Sequence, residues 1–182
     1  KSASLSRQDG DTTFYAIADR DGMVVAGIQS LFHPFGSTLT ERRFQVTLNN
    51  RATGFTAERG LPNTIAPSKK PLHTLSALIM VDEGSGRVVA LGASGGHYRP
   101  QLHAVFATNI VDYSMSLEEA INGPRAAWDW ATGRLVVERG VKGQLQEHVV
   151  ERLGVANAVE VLGRVRGGAT DVRGDGVPVA LP

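Results

Sequence analysis

Cysteine is absent from this 182-residue chain. That removes disulfides, thiolate metal sites and cysteine nucleophiles, while leaving the compartment open. Also missing is any apolar run near the roughly 18 residues of a membrane span, and Lys1 is not followed by the apolar block of a signal peptide. Acids and bases nearly cancel to a formal net charge of +1, and their scatter leaves no basic stripe of the kind that grips nucleic acid. Arg164, Arg166 and Arg173 are diluted by Asp171 and Asp175. The histidines His33, His73, His97, His103 and His148 are never three or four apart, so no helical metal pair exists and no metal is expected. No glycine loop followed by Lys-Ser or Lys-Thr is present to cradle phosphates, and no cofactor is expected. Residue 1 is not methionine, so the chain is expected to be a processed piece or fragment of a longer product.

What is there suits one domain with one substantial core, since 42% of the residues are hydrophobic. Residues 1–11 are polar and pattern-free, reading as a mobile lead-in before a domain over 12–182. Thr13–Ala18 and Met23–Leu31 flank Asp19-Arg20-Asp21-Gly22, which predicts a hairpin. Alternation at Phe44, Val46 and Leu48 predicts a third strand with one buried face. Asn50 to Pro71 holds five Gly or Pro residues and no period, the mark of a long functional loop. Apolar runs at Thr74–Val81 and Arg87–Ala93 predict a second hairpin, deep in a sheet. Leu102, Val105, Phe106, Asn109 and Ile110 have helical spacing, and Ser116 with Glu119 forms a capping box for a second helix ending at Gly123-Pro124. Both helices should cover one sheet face. Leu135–Val137 and Val159–Leu162 read as strands, Gln144–Leu153 as a helix, and the glycine-rich tail from Gly163 carries no clear signal. This order predicts a layered α+β fold with antiparallel sheets rather than a doubly wound parallel one.

Threonines are ordinary strand residues, so Thr12 and Thr13 acquire meaning only from context. Cutting the Asp11–Thr12 bond would give Thr12 an α-amine of pKa about 7.7–8.0, able to take the proton of its own hydroxyl. Gly95 and Gly96, in the turn after the Arg87–Ala93 run, could aim amides at the resulting oxyanion. A rival lies in the same turn, because Gly92-Ala93-Ser94-Gly95-Gly96 also fits the G-x-S-x-G nucleophile elbow. It would make Ser94 a serine-hydrolase nucleophile, with a later acid such as Asp112 and His148. Antiparallel hairpins ahead of Ser94 argue against that fold.

On these residues the chain resembles the small catalytic subunit of the γ-glutamyltransferase family, from Thr12 almost to the C-terminus. The carriers are Thr12-Thr13-Phe14-Tyr15, Asp19-Arg20-Asp21-Gly22, Phe35-Gly36, Leu48-Asn49-Asn50, Pro67-Ser68-Lys69-Lys70-Pro71-Leu72, Ser94-Gly95-Gly96 and Asn122-Gly123-Pro124-Arg125. The resemblance implies the four-layer αββα sandwich of N-terminal-nucleophile hydrolases, completed by a larger subunit cut from the same precursor. It implies that autoproteolysis exposes Thr12, that Ser30 holds its amine, and that Gly95 and Gly96 are the oxyanion donors. Thr74 matches a serine behind the pocket wall, and His73 replaces that serine's neighbour. His33 joins His73 as a candidate pocket-lining residue. Phe32, Arg51 and Gly54 stand where a γ-glutamyl enzyme is expected to carry asparagine, glutamine and aspartate. Losing that carboxylate removes the natural partner of an α-ammonium, and Arg51 offers a fork for an anionic acyl group instead.

The segments Ile28–Ser37 and Lys70–Leu75 look closer to the oxamate amidohydrolase and cephalosporin-acylase-like branches. The expected activity is therefore hydrolysis of a small amide through an acyl-enzyme ester. Its alternatives are γ-glutamyl transfer or glutathione hydrolysis on a γ-glutamyl-like substrate, and an uncleaved binding or scaffold relative. The family's closing segment is matched by Gly168–Asp171 and Arg173–Gly176, without the strand pair expected between Leu162 and that segment.

Overall fold

The computed structural model describes residues 11–142 and 148–181. The first hairpin forms as expected: β1 (Asp11–Ala18) pairs antiparallel with β2 (Val24–Phe32). Asp19 closes its turn, the carboxylate accepting from the Asp21 and Met23 amides at 2.9 and 2.8 Å. A small ladder of β3 (Thr40–Glu41) and β4 (Val46–Thr47) follows. The main sheet has the order β11–β10–β6–β5, built from β5 (Leu78–Asp82), β6 (Arg87–Ala93), β10 (Ala156–Leu162) and β11 (Val165–Thr170), with every pairing antiparallel. Two helices separate its halves, α1 (Arg99–Val111) and α2 (Leu117–Asn122). A three-stranded side sheet, β7 (Ala126–Asp129), β8 (Arg134–Glu138) and β9 (Val149–Val150), completes the chain.

Strand β6 sits between two layers, and its alternation shows which side is which. Val89, Leu91 and Ala93 join Leu102, Phe106, Ile121, Ala158 and Ala169 in the helix-side core. On the opposite face Gly92 has no side chain, and the Phe14 ring from β1 lies against it, in the space a β-carbon would need. The α1–α2 layer and the β1–β2 hairpin thus cover opposite faces of the main sheet. The hairpin's outer face, with Tyr15, Ile17 and Val25, is uncovered among the described residues. No helix among them is long and apolar enough to cross a membrane.

Four expectations need correction. The third strand shrinks to Val46–Thr47, because the Glu41 carboxylate accepts from the Arg43 and Phe44 amides and bends the chain there. Its supposed buried face is exposed, Phe44 at 70%. The apolar run from Thr74 is a strand only from Leu78, since Thr74 is engaged by arginines described below. For the helix expected over Gln144–Leu153, residues 143–147 lie outside the described residues. The remainder is no helix: the Val137 amide donates to the His148 carbonyl and β-branched Val149–Val150 pair with β8. Finally, the unplaced tail contains β11, joined to β10 by the two-residue turn Gly163-Arg164 with Gly163 at φ +57°. Strand β7, unanticipated, follows the Gly123-Pro124 helix stop directly.

Candidate active site

Thr12 lies at the start of β1, opposite Ser30, where the ladder slips by one residue, since Asp11 pairs with Phe32. Bulges of this sort re-aim side chains and recur beside active sites. Here the Thr12 hydroxyl donates to Ser30 Oγ at 2.9 Å, and the Phe32 amide donates to the same oxygen at 3.0 Å. Beyond the bulge Phe32 holds φ +83°, a left-handed conformation that costs a bulky side chain energy and marks a constrained site.

Strand direction brings Thr12 toward the diglycine turn. The Asn157 side chain donates to the Phe14 carbonyl at 3.0 Å, and Arg166 Nε donates to the Asp19 carbonyl at 2.8 Å, so β1 runs alongside β10 and opposite to β6. Phe14 sits at the level of Gly92. Thr12, two residues earlier on the same face, reaches the level of Ser94. Gly95 and Gly96 adopt φ +130° and +53°. No turn, loop or side-chain acceptor among the described residues takes their amides, and a β-carbon at Gly96 would meet only open space.

Structural pressure shapes that turn from behind. Gly154, at φ +77°, packs its backbone on Ser94 and Gly95 so closely that a β-carbon would strike the Ser94 carbonyl. Arg125, 1% exposed, donates to the Leu153 and Gly154 carbonyls at 3.0 Å and pairs with buried Asp171. Burial, the largest single influence, would raise the Asp171 pKa, but the Arg125 charge and hydrogen bond together with the Arg173 and Ala156 amides outweigh it and hold the carboxyl below the usual range. Arg173 adds bonds to Asp171 at 3.0 Å and Glu138 at 2.7 Å. The Asn122–Arg125 motif thus supports the turn from inside the core.

Ser94 is used differently from the elbow reading. Its hydroxyl accepts the Val155 amide at 2.9 Å and its own amide donates to the Val155 carbonyl at 2.8 Å, tying the turn to β10. Asp112 caps the far end of α1, a helix that begins just past the diglycine and rises about 20 Å along its length. It cannot complete a triad with Ser94.

The predicted pocket residues divide. Phe32, His33, Arg51 and Thr74 come together: the Phe32 and His33 rings lie 4.5 Å apart, the Arg51 guanidinium sits 5.2 Å from the Phe32 ring, and Arg51 Nη1 donates to Thr74 Oγ1 at 2.9 Å. His33 Nδ1 meets the Asn50 amide at 2.9 Å, and the Asn50 backbone amide donates to the Leu31 carbonyl at 3.1 Å. Asn49 then fixes the one-turn 3₁₀ segment Arg51–Gly54 by accepting the Arg51 amide at 3.0 Å. His73 is exposed and joins no hydrogen bond among the described residues. Gly54 faces open space.

One functional candidate escaped the sequence reading. Arg99, fully buried at the start of α1, donates through Nε to the Ala93 carbonyl at 2.7 Å and through Nη1 to the Thr74 carbonyl. A cation in the first helical turn opposes the helix dipole, and that misfit was the available signal. Thr74 is gripped by both arginines, yet Nη2 of Arg51 and Nη2 of Arg99 are buried with no hydrogen-bond partner among the described residues. Each such orphan costs about 1–3 kcal/mol. Burial lowers the Arg51 pKa, while burial and then the Arg51 charge push Arg99 down to about 10, leaving both cationic at neutral pH. Among the described residues neither forms an ion pair.

An antiparallel sandwich that lays the opening strand across a second sheet is the architecture of N-terminal-nucleophile hydrolases, αββα in full, and this chain supplies one helical layer with strands of both sheets. Laid on the gamma-glutamyltranspeptidase from Pseudomonas nitroreducens complexed with L-DON, it gives a TM-score of 0.79 at 23% identity, covering 93% of this chain and 100% of that one. That likeness establishes the fold. The chain belongs to the gamma-glutamyltranspeptidase family, whose family model matches residues 1–181. It is 32% identical over 190 residues to the glutathione hydrolase-like YwrD proenzyme of Bacillus subtilis (strain 168), covering 94% of this chain and 36% of that protein. To the oxamate amidohydrolase proenzyme of Klebsiella pneumoniae it is 33% identical over 126 residues, 69% of this chain and 23% of that protein. The chain therefore spans about a third or less of the length of these relatives.

Proposed function

We propose that the protein is an autoprocessing amide hydrolase with Thr12 as its nucleophile. One observation carries this reading: the Thr12 hydroxyl, bonded to Ser30 at 2.9 Å beside a bulge, lies on the face of β1 that leads to the diglycine turn. In processing, Thr12 Oγ1 attacks the Asp11 carbonyl carbon, the peptide C–N bond breaks and frees the Thr12 amine, and water hydrolyses the resulting ester to release the Asp11 carboxylate and restore the Thr12 hydroxyl. In turnover, the same oxygen attacks the substrate carbonyl and its proton passes to the Thr12 amine, which returns it to the leaving amine. Water then cleaves the acyl ester. Gly95 and Gly96 amides stabilise the oxyanion at both stages, an interaction whose loss typically costs a hundredfold or more, about 3 kcal/mol. Ser30 acts as a positioning residue, its oxygen already accepting the Phe32 amide.

Proenzymes among the relatives support a cut precursor. The apolar outer face of the β1–β2 hairpin supports a larger partner segment that covers it. Hydrolysis is favoured over γ-glutamyl transfer by the charge around Arg51, which forms no ion pair with a carboxylate among the described residues.

The test is incubation of purified full-length precursor beside its Thr12→Ala variant. The wild type should separate into two fragments on a denaturing gel and release ammonia from small amides, and the variant should do neither. A wild type that stays single-chain and inert would point to the scaffold reading. Rapid turnover of a γ-glutamyl anilide, without ammonia release from simple amides, would point to transfer.

A further inference from the structure

Among the described non-glycine residues Phe32 has the largest positive φ, +83°, and its amide is the one that meets the Ser30 oxygen under the Thr12 hydroxyl. A bulky residue stays in that conformation only where its neighbours are pinned. Asn50 pins both of them. Its amide donates to the Leu31 carbonyl at 3.1 Å, its side-chain oxygen accepts the His33 amide at 3.0 Å, and its side-chain nitrogen lies 2.9 Å from His33 Nδ1. Residues 33 and 50 are thereby joined across the intervening arm with its short β3–β4 ladder.

The bonding also fixes the state of the imidazole. A backbone N–H can only donate, so the Asn50 atom facing the His33 amide is the carbonyl oxygen, and the atom facing Nδ1 is the NH2 group. Nδ1 is then the acceptor, which places the ring proton on Nε2. A ring protonated at Nδ1 would set N–H against N–H and push the clamp open. The imidazole lies 4.5 Å from the Phe32 ring, so the clamp steadies the side chain of Phe32 as well as its backbone. Asn50, Phe32 and His33 all lie outside the buried core, and the clamp can be cut without unpacking it.

We propose that Asn50 and His33 are a positioning pair for the nucleophile: by clamping the residues on either side of Phe32 they hold the Ser30 oxygen on the Thr12 hydroxyl, with His33 as its Nε2–H tautomer. The inference rests on Thr12 as the nucleophile. Releasing the clamp lets Phe32 relax toward ordinary extended backbone, its amide leaves Ser30, and Thr12 loses its fixed partner. Misplacing a reacting group by about 1 Å costs about a hundredfold in rate. The same hydroxyl cuts the Asp11–Thr12 bond, a step that has no substrate to bind. A group acting through Thr12 therefore slows processing and turnover alike, whereas a group that binds substrate alters turnover alone.

The experiment compares full-length precursor with its Asn50→Ala and Asn50→Asp variants. It reads the rate of the cut, kcat and KM of the processed enzyme on a small amide, and imidazole nitrogen shifts of histidine-labelled protein in mildly alkaline buffer. Asn50→Ala should slow the cut and lower kcat by a similar factor, about tenfold to a hundredfold, with KM nearly unchanged. An aspartate keeps one oxygen on the His33 amide and turns the second bond round, accepting from Nδ1–H. Asn50→Asp should therefore recover most of both rates, while the His33 shifts move from the Nε2–H pattern of the wild type to one with Nδ1 protonated. Should Asn50→Ala fail to fold, His33→Leu, which removes only the ring bond, takes its place with the same expectations. Unchanged rates in the folded variant, or a rise in KM alone, would overturn the positioning role and leave Thr12 chemistry intact. A wild-type His33 carrying its proton on Nδ1 would overturn the clamp. A wild type that is never cut and never turns over would sink the Thr12 reading, and the positioning role with it.

Discussion

Two pairs of arginines, all buried but the partly exposed Arg173, stand on either side of the diglycine turn, and they are provisioned in opposite ways. Behind the turn, Arg125 and Arg173 meet Asp171 and Glu138, and further N–H groups donate to the carbonyls of Ile121, Leu153 and Gly154. In front of it, Arg51 and Arg99 share one threonine, and the Nη2 atom of each is buried without a partner among the described residues. Carboxylates inside the chain make the first group scaffold. Their absence leaves the second with desolvation unrepaid, a state that folding alone does not favour.

The sharpest way to break this contrast is to remove one partner from each group. Asp171→Asn strands the buried Arg125 charge and should lower stability by about 3–5 kcal/mol in denaturant titration. Arg51→Gln removes a charge that has no partner, and its stability should move by about 1 kcal/mol or less. Similar losses in both variants would erase the distinction between scaffold and site. Gly154→Ala probes the connection between the groups, because its β-carbon would strike the Ser94 carbonyl at a residue held at φ +77°. Displacing the oxyanion turn in that way should lower kcat by about a hundredfold, with a smaller effect on KM.

Acid separates the regions more gently. His103, one turn after Arg99, is pushed from 6.5 to about 4 by burial and then by the Arg99 charge. Its folded-state pKa is depressed, so unfolded chains bind more protons and stability is lost as pH falls from about 6.5 to about 4. Asp171, also held low, contributes stability above the ordinary carboxylate range and loses it only as pH falls through its lowered value. Acid titration should thus show a first loss that disappears in His103→Gln, before the cluster fails. Ser116→Ala should be mild in both respects: loss of the cap on the Glu119 amide should cost about 1 kcal/mol and leave turnover unchanged.

Local signals in the sequence were read best where one residue type has one physical use. Ser116 and Glu119 announced their capping box, and Asp19 with Gly22 announced the first hairpin. The strand Arg87–Ala93 and its diglycine turn were legible from apolar continuity broken by glycine. Long-range pairing hid the rest. Gly167 and Gly168 concealed β11, whose register is imposed by β10, and Val149–Val150 became a strand by joining β8. In the candidate site, motif and family resemblance point to Thr12, Ser30, Phe32, Arg51 and Thr74. Arg99 was hidden behind Pro100 in an ordinary helix start, and its importance comes from burial, which no local pattern records.

The most direct test of the account is the intact mass and N-terminal sequence of the full-length protein purified in active form. A new N-terminus at Thr12, with fragment masses that sum to the precursor plus one water, is the predicted result. Full amide-hydrolase activity in protein whose Asp11–Thr12 bond is whole would contradict it.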